Sequence, residues 1–144
     1  MKEDGLTFLE ILIVIFIFSL FLIPVTIFIQ KYHSSYLLNS AIAKIIEGIN
    51  LARECAINER KNFSIVFEKD NFKIMKENNA ILFKEIKLPD NILIEEKSEG
   101  FSPLVLLPDG TTKEAGYLIL FDKITKKKKK LKIHNITGKC IVEE

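Results

Sequence analysis

The feature that most constrains this chain is an apolar run close to its N-terminus. From Ile11 to Ile29, the interruptions are Ser19, Pro24 and Thr26. Nineteen helical residues rise about 28 Å, which is close to the thickness of the hydrocarbon core of a bilayer. The sequence therefore predicts a transmembrane helix over residues 6–30, followed by a head over residues 31–144 that is long enough for one modest core.

The residues before the apolar run do not resemble an ordinary secretory signal. Such a signal has a basic start, a short apolar stretch and a small-residue cleavage site behind it. Here the start is "MKED", the apolar stretch is long, and no A-x-A sequence follows it. We expect the span to remain in the mature protein.

Behind the span, the apolar residues follow a one-sided helical pattern. They recur at alternating spacings of four and three, which places them on one face of an amphipathic helix. This stripe consists of Leu38, Ile42, Ile45, Ile49, Ala52 and Ala56. The pattern predicts one helix from about Leu6 to about Arg60, bent at Pro24, whose part over residues 31–60 faces a core.

From residue 62 onward, the period of the apolar residues changes to two, which is typical of strands. Turn signals divide the region at Lys69-Asp70-Asn71, Asn78-Asn79, Leu88–Asn91 and Pro108-Asp109-Gly110. About seven short strands are expected over residues 62–144, antiparallel because their connections are short. The predicted fold class is α+β, with a long helix packed on an antiparallel sheet or small sandwich.

Glu10 is a carboxylate at the mouth of the apolar run. An acidic residue in the middle of a span costs about 2.5–3.5 kcal/mol on insertion, and less near its end. Glu10 either marks the point where the helix enters the headgroups, or it meets a positive charge from another molecule. A new α-amino group at Leu6 would provide that charge if a protease cut after Gly5, and a neighbouring copy shifted along the helix axis would present it.

The sequence "GLTFLE" followed by a long apolar helix resembles the class III leader of type IV pilins and pseudopilins. The resemblance implies cleavage after Gly5 by a prepilin peptidase, N-methylation of Leu6, and a role for Glu10 in assembly. It also implies a single-pass protein of the inner membrane, with a cytoplasmic N-terminus and other pilins or pseudopilins as filament partners. The leader departs from the pattern because "MKED" has two acids and one lysine, where basic leaders are usual.

Three further stretches are similar to the GspH/FimT branch of minor pilins and pseudopilins. They are "LARECAINERKNFSIVF", "LLPDGTT" and "KIHNITGKCIV", in which Gly138 and Lys139 stand where Gly-Arg is usual. The resemblance implies a pilin-like head on the outer side of the membrane. The protein would then be a structural subunit of a type II secretion pseudopilus or a type IV pilus.

Five adjacent lysines, Lys126–Lys130, form the strongest charge feature of the chain. Such a run favours a solvated turn or sheet edge. The alternative is a phosphate-binding patch that includes Lys139, which would make the protein a DNA-binding minor pilin of an uptake pilus. The segment itself lacks aromatic residues on which the bases of single-stranded DNA would stack.

Other residues give weaker signals. Cys55 and Cys140 would form a disulfide outside the cytoplasm, or would be two buried thiols. His33 and His134 are expected to be structural or surface residues. The chain has no catalytic motif, and we expect no enzyme activity, cofactor or metal. A membrane-anchored domain that is never processed, in which Glu10 has no special role, remains an alternative.

Overall fold

The structure is a computed structural model that describes residues 8–76, 81–134 and 140–143; the side chains of 22–28, 30 and 31 are not described. The chain divides into two compact units, Met1–His33 and Ser34–Glu144. We call the second unit the head. The N-terminal element is helix α1 (Phe8–Glu59), which continues through the backbone of Pro24. The bend expected at Pro24 stays a prediction.

In the head, α1 packs its apolar stripe into the core. All six residues of the predicted stripe are buried, from Leu38 to Ala56, and Ala41 joins them. Exposed polar residues such as Lys44 and Glu47 occupy the other side. This division of faces is the one expected of an amphipathic helix that covers a sheet.

The first sheet has four antiparallel strands. In spatial order they are β3 (Ile81–Lys87), β2 (Asn71–Lys76), β1 (Phe63–Phe67) and β5 (Leu104–Leu106). Phe63, Ile65 and Phe67 alternate along β1 and are fully or almost fully buried, so one face of the sheet lies on the core. A 3-10 helix (Glu99–Phe101) precedes β5 and adds Phe101 to the core.

The second sheet also has four antiparallel strands. In spatial order they are β4 (Ile92–Lys97), β6 (Gly116–Asp122), β7 (Lys128–Ile133) and β8 (Cys140–Glu143). Leu118 faces Leu131 across the β6–β7 ladder, and both side chains are buried. One hydrophobic cluster joins residues of α1 and of both sheets.

The α+β class and the helix packed on antiparallel sheets are confirmed. The described residues contain eight strands, one more than the seven expected, and they form two sheets. The turns at Leu88–Asn91 and Pro108-Asp109-Gly110 lie where they were predicted. The turn predicted at Lys69-Asp70-Asn71 covers Lys69 and Asp70, and Asn71 already begins β2. The turn at Asn78-Asn79 falls outside the described residues.

The position of the lysine run corrects an expectation. The run was expected in a solvated turn or at a sheet edge. Lys126 and Lys127 do lie exposed in the β6–β7 turn, whereas Lys128, Lys129 and Lys130 belong to β7. This strand is internal, between β6 and β8. Alternation explains how an internal strand accommodates them, because every second side chain of a strand points away from the core.

Candidate functional site

The first part of α1 presents an apolar surface. From Phe8 to Phe21 every side chain is exposed, and all except Glu10 and Ser19 are apolar. The Ser19 hydroxyl donates a hydrogen bond of 2.7 Å to the carbonyl oxygen of Phe16, so its polarity is satisfied within the helix. Glu10 is thus the acidic group of this exposed segment.

Other parts of the predicted N-terminal site have no structural description. Gly5 and Leu6, the residues of the expected cleavage, lie outside the described residues. Among the residues that are described, no helix holds an apolar stretch that is long enough to cross a membrane. The transmembrane helix and the processing site therefore stay predictions.

The head holds a buried carboxylate where α1 enters it. Asp122, at the end of β6, is fully buried and accepts a 2.5 Å hydrogen bond from the Ser34 hydroxyl of α1. The Thr125 hydroxyl and the backbone N–H of Ile124 also donate to it, the latter at 3.0 Å. The Asn91 side-chain amide donates to the Ser34 oxygen at 3.0 Å, which ties the β3–β4 turn to the same point.

Burial and hydrogen bonding act on the pKa of Asp122 in opposite directions. Burial raises the pKa, because it disfavours the charged form. The donors from Ser34, Thr125 and the backbone of Ile124 stabilise the carboxylate and together outweigh burial, so that the pKa is lowered. Asp122 is therefore an ionised group that holds α1, the β3–β4 turn and the β6–β7 turn together.

The lysines of β7 lie on two sides of the second sheet. Lys128, Lys130 and Lys132 share the side away from the core, because Leu131 and Ile133 between and beside them are buried. Lys129 is half-buried and is the cross-strand partner of Leu120. Lys126 and Lys127 are exposed in the β6–β7 turn.

The lysines on the outer side contact acidic residues. Lys128 forms an ion pair of 2.8 Å with Glu95 of β4, and Lys132 forms one of 2.5 Å with Glu143 of β8. These pairs neutralise part of the positive charge that the sequence concentrates here. Lys139, the remaining lysine of the predicted patch, lies outside the described residues.

Three lysines of the run, Lys126, Lys128 and Lys130, also lie over aromatic rings of β6. The Lys130 ammonium lies 4.1 Å from the centroid of the Tyr117 ring, and Lys126 and Lys128 lie 5.6 and 5.8 Å from that of Phe121. These are cation–π distances. The lysine segment itself has no aromatic residue, but the β6–β7 register brings Phe121 opposite Lys128. Sequence reasoning missed this, although "GYLILFD" places both rings two strand periods apart on one face.

The two cysteines are not joined. Neither sulfur is part of a disulfide in this structure, and the disulfide considered from the sequence stays a prediction. Burial raises the pKa of both thiols, and the carboxylates of Glu59 and Glu54 raise that of Cys55 further. Each thiol therefore stays protonated, which is typical of an unreactive structural cysteine.

Strand β3 is an edge of the first sheet with exposed apolar side chains. Ile81, Leu82 and Phe83 are each about half exposed. A groove of about 570 Å³ lies between this edge and α1, and its lining includes Lys84 of β3 and Glu47 and Glu54 of α1. A sheet edge with exposed apolar side chains is a natural contact surface for another protein.

The fold is shared with two solved structures. The type IV minor pilin FimU of Pseudomonas aeruginosa superimposes with a TM-score of 0.60 at 16% identity, over 74% of this chain and 88% of that one. The minor pseudopilin EpsH of the Type 2 Secretion System of Vibrio cholerae gives 0.57 at 13% identity, over 74% and 95%. No protein-family model matches the chain, nor does any curated protein. The chain has a pilin-like fold, of the form found in minor pilins and minor pseudopilins.

Proposed function

We propose that this protein is a minor pilin or minor pseudopilin, a structural subunit of a type IV pilus or a type II secretion pseudopilus. The observation that carries the proposal is the combination of a pilin-like fold with an exposed apolar helical segment that starts beside Glu10. A helix with apolar side chains all round needs a lipid or protein environment. The bilayer would provide the lipid environment before assembly, and the filament core would provide the protein environment after assembly.

The N-terminal residues then have distinct roles. The apolar run inserts into the inner membrane with residues 1–5 in the cytoplasm. A prepilin peptidase cuts after Gly5, and Leu6 becomes the N-methylated first residue. In the filament, the Glu10 carboxylate pairs with the Leu6 amine of a neighbouring subunit, which compensates two charges that would be costly within an apolar core.

The head is the outward part of the subunit, and it contacts other subunits. The half-exposed side chains of Ile81, Leu82 and Phe83 on the β3 edge suit such a contact, since a partner would remove their apolar surface from water. The head needs no catalytic group for this function. A subunit of this type contributes shape and contact surface to the filament.

A DNA-binding minor pilin is the second candidate. Tyr117 and Phe121 favour it, because lysines interleaved with aromatic rings suit a nucleic-acid strand. The ion pairs of Lys128 with Glu95 and of Lys132 with Glu143 count against it, since paired lysines release fewer counterions from a phosphate backbone. We rank the structural role first.

The experiment that tests the proposal is mass spectrometry of the protein purified from a host with a prepilin peptidase. We expect a mature chain that begins at Leu6 and carries one added methyl group. A Gly5→Val variant should stay uncut, because a protease site that fits closely around glycine has no room for the two γ-methyl groups of valine. A wild-type chain that keeps residues 1–5 would support the unprocessed membrane-anchored domain instead.

A further inference from the structure

Three turns of the head meet around Ser34, the first residue of this unit. They are the β1–β2 turn at Lys69-Asp70, the β3–β4 turn at Leu88–Asn91 and the β6–β7 turn at Lys123–Lys127; we call them the Ser34 end. Backbone hydrogen bonds of 2.9 Å join them, from Leu88 N–H to the Asp70 carbonyl and from Lys123 N–H to the Asn91 carbonyl. The Ser34–Asp122 bond fixes α1 to the same group. The Ser34 end is thus a connected surface.

This surface carries an excess of exposed lysines. Its exposed lysines, counting the last residue of β3, are Lys69, Lys87, Lys123, Lys126 and Lys127. The exposed acids of the three turns are Asp70 and Asp90, while Glu68 beside them pairs with Lys73. A groove of about 580 Å³ opens among Lys69, Lys87 and Lys123, with both aspartates on its wall. The groove is large enough for an anionic group, and its lining has three lysines against two aspartates. The Lys123 ammonium donates a hydrogen bond of 2.8 Å to the Asp90 carbonyl oxygen, which holds this lysine at the groove.

An apolar side chain lies among these lysines. Ile124 is 54% exposed, in the turn between Lys123 and Lys126. A lone exposed isoleucine is ordinary on a protein surface. Here, however, the turn is basic on both sides of it. Basic residues beside an exposed apolar side chain are residue types that favour a lipid–water interface.

The chain itself limits how far this surface can lie from a membrane. Four residues separate Ile29, the end of the apolar run, from Ser34. Even fully extended, this connection spans no more than about 18 Å. If the apolar run crosses the bilayer, as the proposed function requires, the tether keeps the lysines of the Ser34 end at a high effective concentration over the headgroups.

We propose that the Ser34 end binds the anionic surface of the membrane before assembly. The lysines of the three turns contact lipid phosphates, and the Ile124 side chain enters the headgroup region. The chemistry selects lipid over DNA, because the tether supplies a surface of phosphates at short range and a DNA backbone offers nothing apolar to Ile124. Docking would hold the head in one orientation at the membrane until the filament takes up the subunit.

The test uses the full chain in vesicles. An Ile124→Cys variant, with Cys55 and Cys140 changed to Ala, carries a polarity-sensitive dye. The matched control places the dye at Asp109, in the turn where Gly110 adjoins Ile57 of α1, about 35 Å along the helix from Ser34. We expect the dye emission at position 124 to shift to the blue in vesicles that contain phosphatidylglycerol, but not in vesicles of pure phosphatidylcholine. In high salt the emission should return to its wavelength in phosphatidylcholine. The dye at position 109 should not respond.

Two lysine variants complete the design. Changing Lys123, Lys126 and Lys127 to Gln should abolish the shift, whereas changing Lys44, Lys84 and Lys113, exposed lysines elsewhere on the head, should preserve it. Hydrogen exchange of the unsubstituted chain provides a second measurement. In anionic vesicles, the amides of the Lys123–Lys127 turn should be protected several-fold more than in neutral ones.

The outcomes separate this proposal from the one on which it rests. Release of the chain by alkaline carbonate would refute the membrane insertion and this proposal together. A chain that is retained, but shows equal emission and equal exchange in both lipids, would refute the docking alone. A response at position 124 to duplex DNA in neutral vesicles, without a response to anionic lipid, would replace lipid by nucleic acid as the ligand.

Discussion

Gly48 of α1 lies directly over the ring of Phe72 on β2. A Cβ atom on Gly48 would stand 2.8 Å from Cζ of that ring, nearer than van der Waals contact permits. The Phe72 ring is fully buried and cannot swing into solvent. The missing side chain of Gly48 therefore sets how closely the helix approaches the first sheet.

A Gly48→Ala substitution should destabilise the head. The methyl group improves helix propensity by up to about 1 kcal/mol, but overpacking a closed core costs about 1–3 kcal/mol. We expect a net loss in the free energy of unfolding, measured by urea titration of the chain in mild detergent. In a double-mutant cycle, Phe72→Leu should recover part of that loss, because the shorter side chain leaves room for the methyl group. If the Gly48→Ala variant is at least as stable as the parent, α1 can shift away from the Phe72 ring without a loss in the free energy of unfolding.

The buried Asp122 should make stability depend on pH. Its folded-state pKa is lowered, so its contribution is complete above the ordinary aspartate pKa of about 4 and is lost as the pH falls through the folded-state value. An Asp122→Asn variant should lose about 1–3 kcal/mol at neutral pH and lose less on acidification than the parent does. The exposed Asp90 provides the control, since Asp90→Asn should change neither the free energy of unfolding at neutral pH nor its loss on acidification. If the free energy of unfolding falls equally with pH in the parent and in the Asp122→Asn variant, Asp122 is not the source of the pH dependence.

Glu10 should be required for assembly but not for insertion. Replacing it by Val makes the segment more apolar, so we expect normal membrane retention and normal cleavage. Filaments should fail to incorporate the variant, because the neighbouring Leu6 amine loses its counter-charge. A Ser19→Ala change in the same exposed segment serves as the control, since this hydroxyl bonds within its own helix. Co-purification with sheared filaments is the measurement, and wild-type levels of the Glu10 variant there would refute the role.

DNA binding by the head should be weak and strongly salt-dependent. Lys128 is already paired with Glu95, so the lysine patch offers fewer mobile counterions than five lysines suggest. Gel-shift titration with duplex DNA at two salt concentrations should show affinity only at the lower one. Changing Lys127, Lys128 and Lys129 to Gln should remove that residual affinity, while the Lys44, Lys84 and Lys113 set should not. Micromolar binding at physiological salt that disappears in the first variant would place DNA uptake ahead of the structural role.

The fold was largely predictable because local patterns determine it. The stripe from Leu38 to Ala56 has a helical period, and every member is buried. The turn at Pro108-Asp109-Gly110 was recognisable because proline, aspartate and glycine in this order favour a turn. In the structure Gly110 adopts a φ of +83°, a conformation that suits glycine. The sequence left a single sheet and a small sandwich open, and it did not predict which strands form each of the two sheets, because that depends on pairing across long stretches of chain.

The functional surfaces were predictable only in part, for a related reason. Glu10 could be identified because a charged residue beside an apolar run stands out in the sequence itself. The carboxylate of Asp122 was not, since its partners Ser34 and Asn91 lie 88 and 31 residues away in sequence. The stacking of Lys130 on Tyr117 also depends on a cross-strand register that composition does not reveal.

The order of the strands has a consequence for how the head unfolds. Strand β5 belongs to the first sheet, while β4 before it and β6 after it belong to the second, so the chain passes between the sheets three times. Ile65 and its cross-strand partner Leu104 are 39 residues apart in sequence. Neither sheet can separate without pulling strands out of the other. The head should therefore melt in one cooperative, all-or-none transition, with refolding slowed by these non-local pairings.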